Sequence, residues 1–353
     1  MHSTARQIPT LRLLVLGAAL VAAVMPTSAA CVERVYSRGL YPMLQRELTA
    51  LSNQVEVALF DLLIIGSVVG LVGAWLVRWR RAPAGRRGRT LGWMGFDAAV
   101  FLAAIYLSFL ASWGLNYRRE PIQARLDFDV QRITPEALAT LADRSVDALN
   151  ALHVDAHARP WPELDEMPEA LGAAFGDAQR RLPSRPSVTV ARPKTTLLGA
   201  YFRQAAIDGM IDPFLLETLV NDDLLPFERP FVVAHEWAHL AGYANEAEAS
   251  FVGWLACQSG DDAAQYSAWL FLHPHLVRQL NPEARDRLAG RLASGPARDL
   301  QAIGRRLARA VPLLRRQANR FYDRYLRANR VSSGIASYGE VVDLLLGARL
   351  PGG

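Results

Sequence analysis

Two apolar runs, each long enough to cross a lipid bilayer as a helix, constrain the fold of this chain more than any other feature. The first extends from Val57 to Val77 and the second from Leu91 to Leu115, and each holds about the twenty residues that a spanning helix needs. The stretch between them, from Arg78 to Arg89, contains six arginines and no acidic residue. Because arginine-rich loops stay in the cytoplasm, we predict two transmembrane helices over residues 55–117, with everything after Tyr117 outside the cytoplasm.

A shorter apolar run near the N-terminus has two interpretations. Arg6 and Arg12 precede the run from Leu13 to Met25, and the small residues Ser28-Ala-Ala30 follow it. This order is typical of a cleaved signal peptide, and a short membrane anchor fits the same residues. Residues 1–30 are therefore predicted to be a signal peptide or a first transmembrane anchor.

The composition favours a membrane protein and disfavours a nucleic-acid partner. Hydrophobic residues make up 51% of the chain, which is high for a soluble protein. The formal net charge is +5, and the arginines of the predicted loop alone exceed it, so the basic balance is a topology signal. Two cysteines, Cys31 and Cys257, are too few for a disulfide framework. We predict a multi-pass protein of the bacterial cytoplasmic membrane, in contact with the lipid bilayer.

Residues 120–353 have the composition of a globular domain, which we predict to be mainly α with a small β-sheet (α+β). A cap residue followed by proline and glutamate opens a helix after Thr134. Alternating residues between prolines predict a strand at Ser187–Val190, and two further short strands are expected at Ile207–Ile211 and Phe214–Val220.

Two charged features of this domain each have two interpretations. Glu217 lies on the last predicted strand, which is our candidate for an edge strand that an extended peptide substrate joins; the alternative is a solvated charge. The segment from Gln301 to Arg330 carries nine arginines against one acid, Asp323. This helical arm would rest on an anionic membrane surface or on the acidic body of the domain, or would simply present a solvated charged face.

The stretch from Phe231 to Gly242 has the pattern of a zinc-binding helix. His235 and His239 are four residues apart, so in a helix they lie on one face, roughly 6 Å apart along the axis, and can share one metal. Glu236 flanks that face, where it can deprotonate a water. This is the H-E-x-x-H pattern of zinc metallopeptidases, and chance spacing on an amphipathic helix is the alternative.

A catalytic zinc needs a third protein ligand, and two glutamates are candidates. Gly242 is expected in the left-handed conformation that ends the helix. In the metzincin pattern a third histidine would follow at position 245, but Asn245 stands there, and an amide is a poor zinc ligand. Asn245 is a strong N-cap that Glu248 would complete as a capping box, which leaves Glu246 to face the metal. Glu246 is the preferred ligand and Glu248 the alternative; Ser250, one turn after Glu246, is placed to orient a ligand.

Short motifs occur along most of the chain in a specific order. They are Trp113-Gly-Leu-Asn-Tyr117-Arg, Pro213-Phe214 with Glu217 and Asn221, His235-Glu-Trp-Ala-His239 continuing to Glu246-Ala-Glu248-Ala, Trp254-Leu-Ala-Cys257, Tyr325-Leu and Ser337-Tyr-Gly339. This order resembles a bacterial family of membrane proteins presumed to be zinc metallopeptidases. The resemblance implies a zincin-like domain, and its similarity to gluzincins supports Glu246 as a ligand. One departure is Leu215-Leu216, where a Thr-Gly pair is expected.

These features together predict a membrane-anchored, zinc-dependent metallopeptidase that hydrolyses peptide or protein substrates in the cell envelope. The predicted ligands of the single Zn²⁺ are His235, His239 and Glu246. Glu236 would act as the general base. The candidate donors to the oxyanion are Tyr243, Tyr266 and His273.

Two other functions fit the same residues. In the first alternative, the metal is structural and the chain is a non-catalytic zinc-binding envelope sensor or assembly module. The glutamate directly after His235 favours the enzyme over this sensor. In the second, a zinc hydrolase acts on a bond other than a peptide.

Overall fold

Helices form most of the chain, in the α+β class that the sequence predicts. The computed structural model describes residues 10–183, 188–331, 334 and 339–350. In chain order, the α-helices are α1 (Thr10–Val24), α2 (Ala29–Cys31), α3 (Tyr41–Ser52), α4 (Leu59–Arg80), α5 (Arg87–Ser112), α6 (Pro135–Ala156), α7 (Met167–Arg181), α8 (Gly199–Ala205), α9 (Arg229–Leu240), α10 (Glu246–Gln258), α11 (Asp262–Gln279), α12 (Pro282–Arg291), α13 (Ser294–Ala308), α14 (Pro312–Ala328) and α15 (Val341–Gly347). A π-helical segment, Val32–Leu40, joins α2 to α3.

Helices α4 and α5 are long and apolar enough to cross a membrane, with 22 and 26 residues. There is a third such span if α1 and the segment Ala29–Ser52, which meet at a bend of 115°, count as one. Helix α1 packs along α5, and Asp97 of α5 pairs with Arg12 at 2.6 Å and with Arg78 at 2.8 Å. These ion pairs connect α1, α4 and α5 on the side that carries the arginine-rich loop.

Two small sheets accompany the helices in the described residues. The strands are β1 (Asp127–Phe128), β2 (Pro193–Lys194), β3 (Gly209–Ile211), β4 (Thr218–Val220) and β5 (Ala348–Arg349). Strands β1 and β5 form an antiparallel pair. The other sheet has the order β2-β4-β3, with β4 parallel to β2 and antiparallel to β3. Strand β4 is therefore the middle strand, and β3 lies at an edge of the described sheet.

The strand predicted at Ser187–Val190 is wrong over its described part, residues 188–190, which have no regular structure. Side-chain amides of α3 bond to the backbone here. Gln45 donates to the carbonyl of Thr189 at 2.7 Å and accepts from its N–H at 3.1 Å, and Asn53 donates to the carbonyl of Val190 at 3.0 Å. Because these groups bond to side chains, no strand ladder forms. Ser187 lies outside the described residues.

The turn between β3 and β4 holds Leu216 in the left-handed conformation, with φ of +55°. Asp212 organises this turn, since its carboxylate accepts from the N–H groups of Phe214 and Leu215 at 2.9 Å each. Left-handed backbone costs an L-residue about 1–2 kcal/mol, and glycine adopts it freely. Position 216 is where the expected Thr-Gly pair would put its glycine, so the departure in sequence leaves the turn intact.

Helices α9 and α10 pack against each other at the centre of the protein, next to α7 and α11. Trp237 of α9 is fully buried, packs edge-on against Phe175 with ring centroids 5.7 Å apart, and donates to the carbonyl of Ala191 at 2.8 Å. Gly253 of α10 permits the close approach, because a Cβ at this position would lie 2.9 Å from the backbone nitrogen of His235. The absence of a side chain at 253 therefore sets the distance between the two helices.

Replacing Gly253 with alanine is expected to destabilise the protein by about 1–3 kcal/mol, because the added methyl group forces α10 away from the backbone of α9. The matched control is Gly304→Ala, at a position of α13 where an added Cβ meets nothing within 4 Å. This control should stabilise the protein by up to about 1 kcal/mol. Thermal unfolding of both full-length variants in the same detergent measures the difference, and equal melting temperatures would contradict the close contact.

Candidate metal centre

Helix α9 is followed by the left-handed glycine that the sequence predicts. Gly242 has φ of +83°, and the N–H of Tyr243 donates to the carbonyl of Ala238 at 3.1 Å. This arrangement ends the helix and reverses the chain. The next helix, α10, begins at Glu246, which the reversal brings back over the histidines of α9.

The last carbonyl groups of α9 accept hydrogen bonds from side chains far away in the sequence. Trp113 donates to the carbonyl of His239 at 3.0 Å, and Tyr41 donates to that of Leu240 at 2.8 Å. Helix ends leave carbonyls short of partners inside the helix. The carbonyl of His239 also accepts from the N–H of Gly242 at 2.9 Å, and the two side chains add donors at this end. The segment between α2 and α4 and the end of α5 thus fix the C-terminal turn of α9.

Glu246, His235 and His239 have the geometry of three ligands around one metal ion. Glu246 Oε2 lies 3.3 Å from His235 Nε2 and 3.4 Å from His239 Nε2. Ligands bound about 2.0–2.1 Å from a tetrahedral zinc are roughly 3.3–3.4 Å apart, so one ion fits among them. Glu246 Oε2 is also buried without a hydrogen-bond partner in the described part of the chain. This donor set of two imidazoles and one carboxylate fits a divalent cation such as zinc.

Each of the three groups is oriented by a second contact. His239 Nδ1 donates to the carbonyl of Tyr243 at 2.7 Å. Since a carbonyl only accepts, the neutral form of the ring has its lone pair on Nε2, the atom that faces the centre. Ser250 Oγ lies 3.2 Å from His235 Nδ1. Tyr322 donates its hydroxyl to Glu246 Oε1. Such outer contacts are what hold metal ligands in position.

The charges within the centre favour an ionised carboxylate. Burial disfavours the charged form of Glu246, but the facing His239 and His235 outweigh it and hold the pKa of Glu246 well below its usual range. Burial lowers the pKa of His235. For His239, burial is outweighed by the Glu246 carboxylate, and the pKa is raised to about 9. An ionised carboxylate is the form that binds a metal.

Glu236 lies beside this cluster and against the edge strand β3. Its carboxyl group is buried, with Oε2 lacking a hydrogen-bond partner among the described residues, and burial raises the pKa of Glu236 to about 8. A Cβ at Gly209 of β3 would lie 2.8 Å from Glu236 Oε1. Only a residue without a side chain lets the strand pass this close to the carboxylate.

The alternative ligand, Glu248, is not brought to the histidines. Asn245 caps α10 as predicted, accepting from two N–H groups of the first turn at 2.8 and 3.3 Å. The capping box does not form, because the carboxylate of Glu248 instead accepts from the N–H of Ile122 at 2.8 Å. Glu248 is therefore a buried structural carboxylate between α10 and the segment after α5.

The structure does not bring the three predicted oxyanion donors to the centre. The ring of Tyr243 lies under two arginine guanidinium groups at 5.3 and 5.9 Å, and only its carbonyl faces the site. The hydroxyl of Tyr266 donates to Asp299 at 2.6 Å. The ring of His273 bonds to Ser145 at 2.8 Å. All three side chains have partners elsewhere, at positions that are distant along the chain.

The residue that sequence reasoning missed is Tyr322, on α14. Besides contacting Glu246, its ring stacks on that of Tyr325 with centroids 5.9 Å apart. Both tyrosines belong to the arginine-rich segment from Gln301 to Arg330, which the sequence predicts to be a charged helical arm. The sequence did contain one signal for Tyr322: it and Tyr325 are three residues apart, so both lie on one face of a helix.

One arginine of the arm is buried against the acidic body of the domain, while the other eight are exposed, as the interpretation of a solvated charged face expects. Arg306 of α13 is buried, pairs with Glu228 at 2.7 Å and with Asp208 at 2.9 Å. Asp208 directly precedes the edge strand β3. These ion pairs fix the arm next to the metal centre, so that α14 covers it.

Glu217 is not on an edge strand, which corrects the sequence-based candidate. It precedes the middle strand β4, is fully buried, and pairs with Lys194 at 2.6 Å. Its carboxylate also accepts from the N–H groups of Leu59 and Phe60 at 3.1 and 2.8 Å. These are the first N–H groups of α4, which carry no partner inside the helix. Glu217 therefore caps the helix α4, and neither a substrate contact nor a solvated charge describes it.

Replacing Glu217 with glutamine is expected to destabilise the protein by about 3–5 kcal/mol, because Lys194 is left buried without a countercharge. The matched control, Glu47→Gln, removes a carboxylate that is 72% exposed and should change stability by less than about 0.5 kcal/mol. Thermal unfolding in detergent compares the two. A Glu217→Gln variant that melts with wild type would refute the structural role.

Comparison with known proteins identifies the family to which the chain belongs. The family model described as "Protein of unknown function (DUF3810)" matches residues 36–346. No curated protein and no solved structure matches the chain. The matched range contains α9, α10 and α14, and with them every residue of the candidate metal centre. The chain belongs to the DUF3810 family of proteins of unknown function.

Proposed function

We propose that this chain is a membrane-anchored zinc metallopeptidase with a zincin-like domain. One observation carries the proposal: Glu246 lies 3.3 and 3.4 Å from the Nε2 atoms of His235 and His239, with Glu236 beside them. Two histidines and a glutamate leave a fourth coordination position open, as catalytic zinc sites require and closed structural sites do not. This ligand set also supports the likeness to gluzincins.

A peptide substrate is supported by the edge strand next to Glu236. Strand β3 has one neighbour, β4, within the described sheet, so its other edge has backbone groups that an extended peptide can pair with. Gly209 of β3 approaches Glu236 Oε1 closely. A peptide added to β3 would therefore run past the general base. Strand β3 therefore replaces the strand at Glu217 as the candidate edge strand for a peptide substrate.

The chain's own residues have separate tasks in this hydrolysis. Zinc, when bound, would supply a Lewis acid for the scissile carbonyl. Glu236 takes the proton of the attacking water and passes it to the leaving amine. Tyr322 holds Glu246, and Ser250 and the carbonyl of Tyr243 hold the two imidazoles.

The membrane topology is part of the same proposal. The arginine-rich loop between α4 and α5 is cytoplasmic, and the region that contains α6 to α15 faces the periplasm or the exterior. Helix α1 remains attached as an anchor; the ion pair of Arg12 with Asp97 and the bond from Arg118 to the carbonyl of Ala22 at 2.8 Å support its retention over cleavage.

Metal content and cleavage activity of carboxylate variants test the enzyme. Full-length Glu236→Gln should keep zinc and lose cleavage of an envelope protein mixture by roughly 100-fold or more, because it removes only proton transfer. Glu246→Gln should lose the zinc of this centre, whereas Glu248→Gln should retain it. Glu283→Gln, at an exposed position of α12, is the matched control and should match wild type in both measurements.

Two results would contradict this assignment. Absence of zinc from wild type purified without chelators would refute the metal centre. Zinc held equally by wild type and Glu236→Gln, with the same cleavage in both, would favour the non-catalytic sensor.

Single cysteines test the topology. In a Cys31→Ser background the remaining Cys257 is buried, and burial raises the pKa of its thiol, so it does not react. Val154→Cys, at an exposed position of α6, should react with a membrane-impermeant maleimide in intact spheroplasts. Gly85→Cys, in the arginine-rich loop, should react only after permeabilisation, and the opposite pattern would overturn the orientation.

A further inference from the structure

A second group of metal-binding side chains lies between α6 and α13. His153 lies in the last turn of α6, His157 is the residue that follows the end of α6, and Asp299 of α13 faces them. One ligand atom of each lies within 4.8 Å of the others. Asp299 Oδ2 lies 3.0 Å from His157 Nε2 and 3.6 Å from His153 Nε2. All three side chains are partly exposed, so an ion can reach them from solvent.

The distances leave one imidazole of the cluster without a hydrogen bond to Asp299. His157 Nε2 is within hydrogen-bonding distance of Asp299 Oδ2 at 3.0 Å, whereas His153 Nε2 lies 3.6 Å from the same oxygen, too far for a hydrogen bond. Two ligands of one zinc ion are roughly 3.3 Å apart, close to both distances. One ion would therefore give His153 Nε2 a bonding partner, which the carboxylate of Asp299 does not.

The surroundings hold these groups in place. The hydroxyl of Tyr266 donates to Asp299 Oδ2 at 2.6 Å, which orients the carboxylate as outer contacts orient ligands elsewhere. The ring of His157 packs against Trp161 with centroids 5.4 Å apart. Gly295 of α13 permits the close packing, since a Cβ there would lie 2.5 Å from the His153 ring.

We propose that His153, His157 and Asp299 form a second site for a divalent transition metal such as Zn²⁺, separate from the centre on α9 and α10. The site links α6 to the start of α13. The other end of α13 is held by Arg306, and the chain then continues into α14, which carries Tyr322 to Glu246. A metal at this site fastens the arm that covers the first centre.

Metal stoichiometry of the full-length protein in detergent tests the second site, with Zn²⁺ as the probe. Wild type should bind about two equivalents, and His153→Asn with His157→Asn about one. His275→Asn, a partly buried histidine outside both clusters, is the matched control and should leave the content unchanged. Asp299→Asn should give the same loss as the double variant without removing either ring.

The Glu246→Gln background separates this proposal from the proposed enzyme. In that background the protein should retain about one equivalent, and added Zn²⁺ should raise its melting temperature. Adding His153→Asn and His157→Asn should abolish both effects. A Glu246→Gln protein that binds no Zn²⁺ would overturn the second site alone, as would metal that persists after both histidines and Asp299 are replaced.

Discussion

The hydrogen bonds from Trp113 and Tyr41 to the last carbonyls of α9 are the interactions on which the centre depends. Arg119 adds a third, donating to the carbonyl of Gly242 at 2.8 Å while it pairs with the buried Glu33. These carbonyls end the helix that carries the two histidines. A buried carbonyl left unpaired costs about 1–3 kcal/mol, and the carbonyl of His239 also accepts from the N–H of Gly242 at 2.9 Å. The position of His239 is thus determined by residues more than a hundred positions earlier.

These contacts unite parts of the chain that the sequence separates. A division at residue 120 separates Tyr41 and Trp113 from the domain that contains α9, yet both bond to α9. Glu217 makes a connection of the same kind: it lies next to the small sheet, and its carboxylate caps α4. The candidate centre and the C-terminal end of α5 therefore share one packed interior, and a fragment starting at 120 would lack the donors that close α9.

The sequence was sufficient for features that depend on neighbours along the chain. The spacing of His235 and His239, the left-handed Gly242 and the cap at Asn245 are local, and each follows from helix geometry. Features that depend on packing between distant parts of the chain could not be predicted from the sequence. Tyr322 reaches Glu246 from another helix, Glu217 is buried by β2 and α4, and the strand expected near Thr189 is replaced by bonds to side-chain amides. No periodicity in the sequence records these partners.

The left-handed Leu216 shows how the turn before β4 tolerates a change of residue. Its backbone strain costs about 1–2 kcal/mol, while burying a leucine side chain contributes about 1.5–3 kcal/mol, and Leu216 is fully buried. Burial of the side chain therefore offsets the backbone strain of Leu216, provided that Asp212 keeps the hydrogen bonds that define the turn.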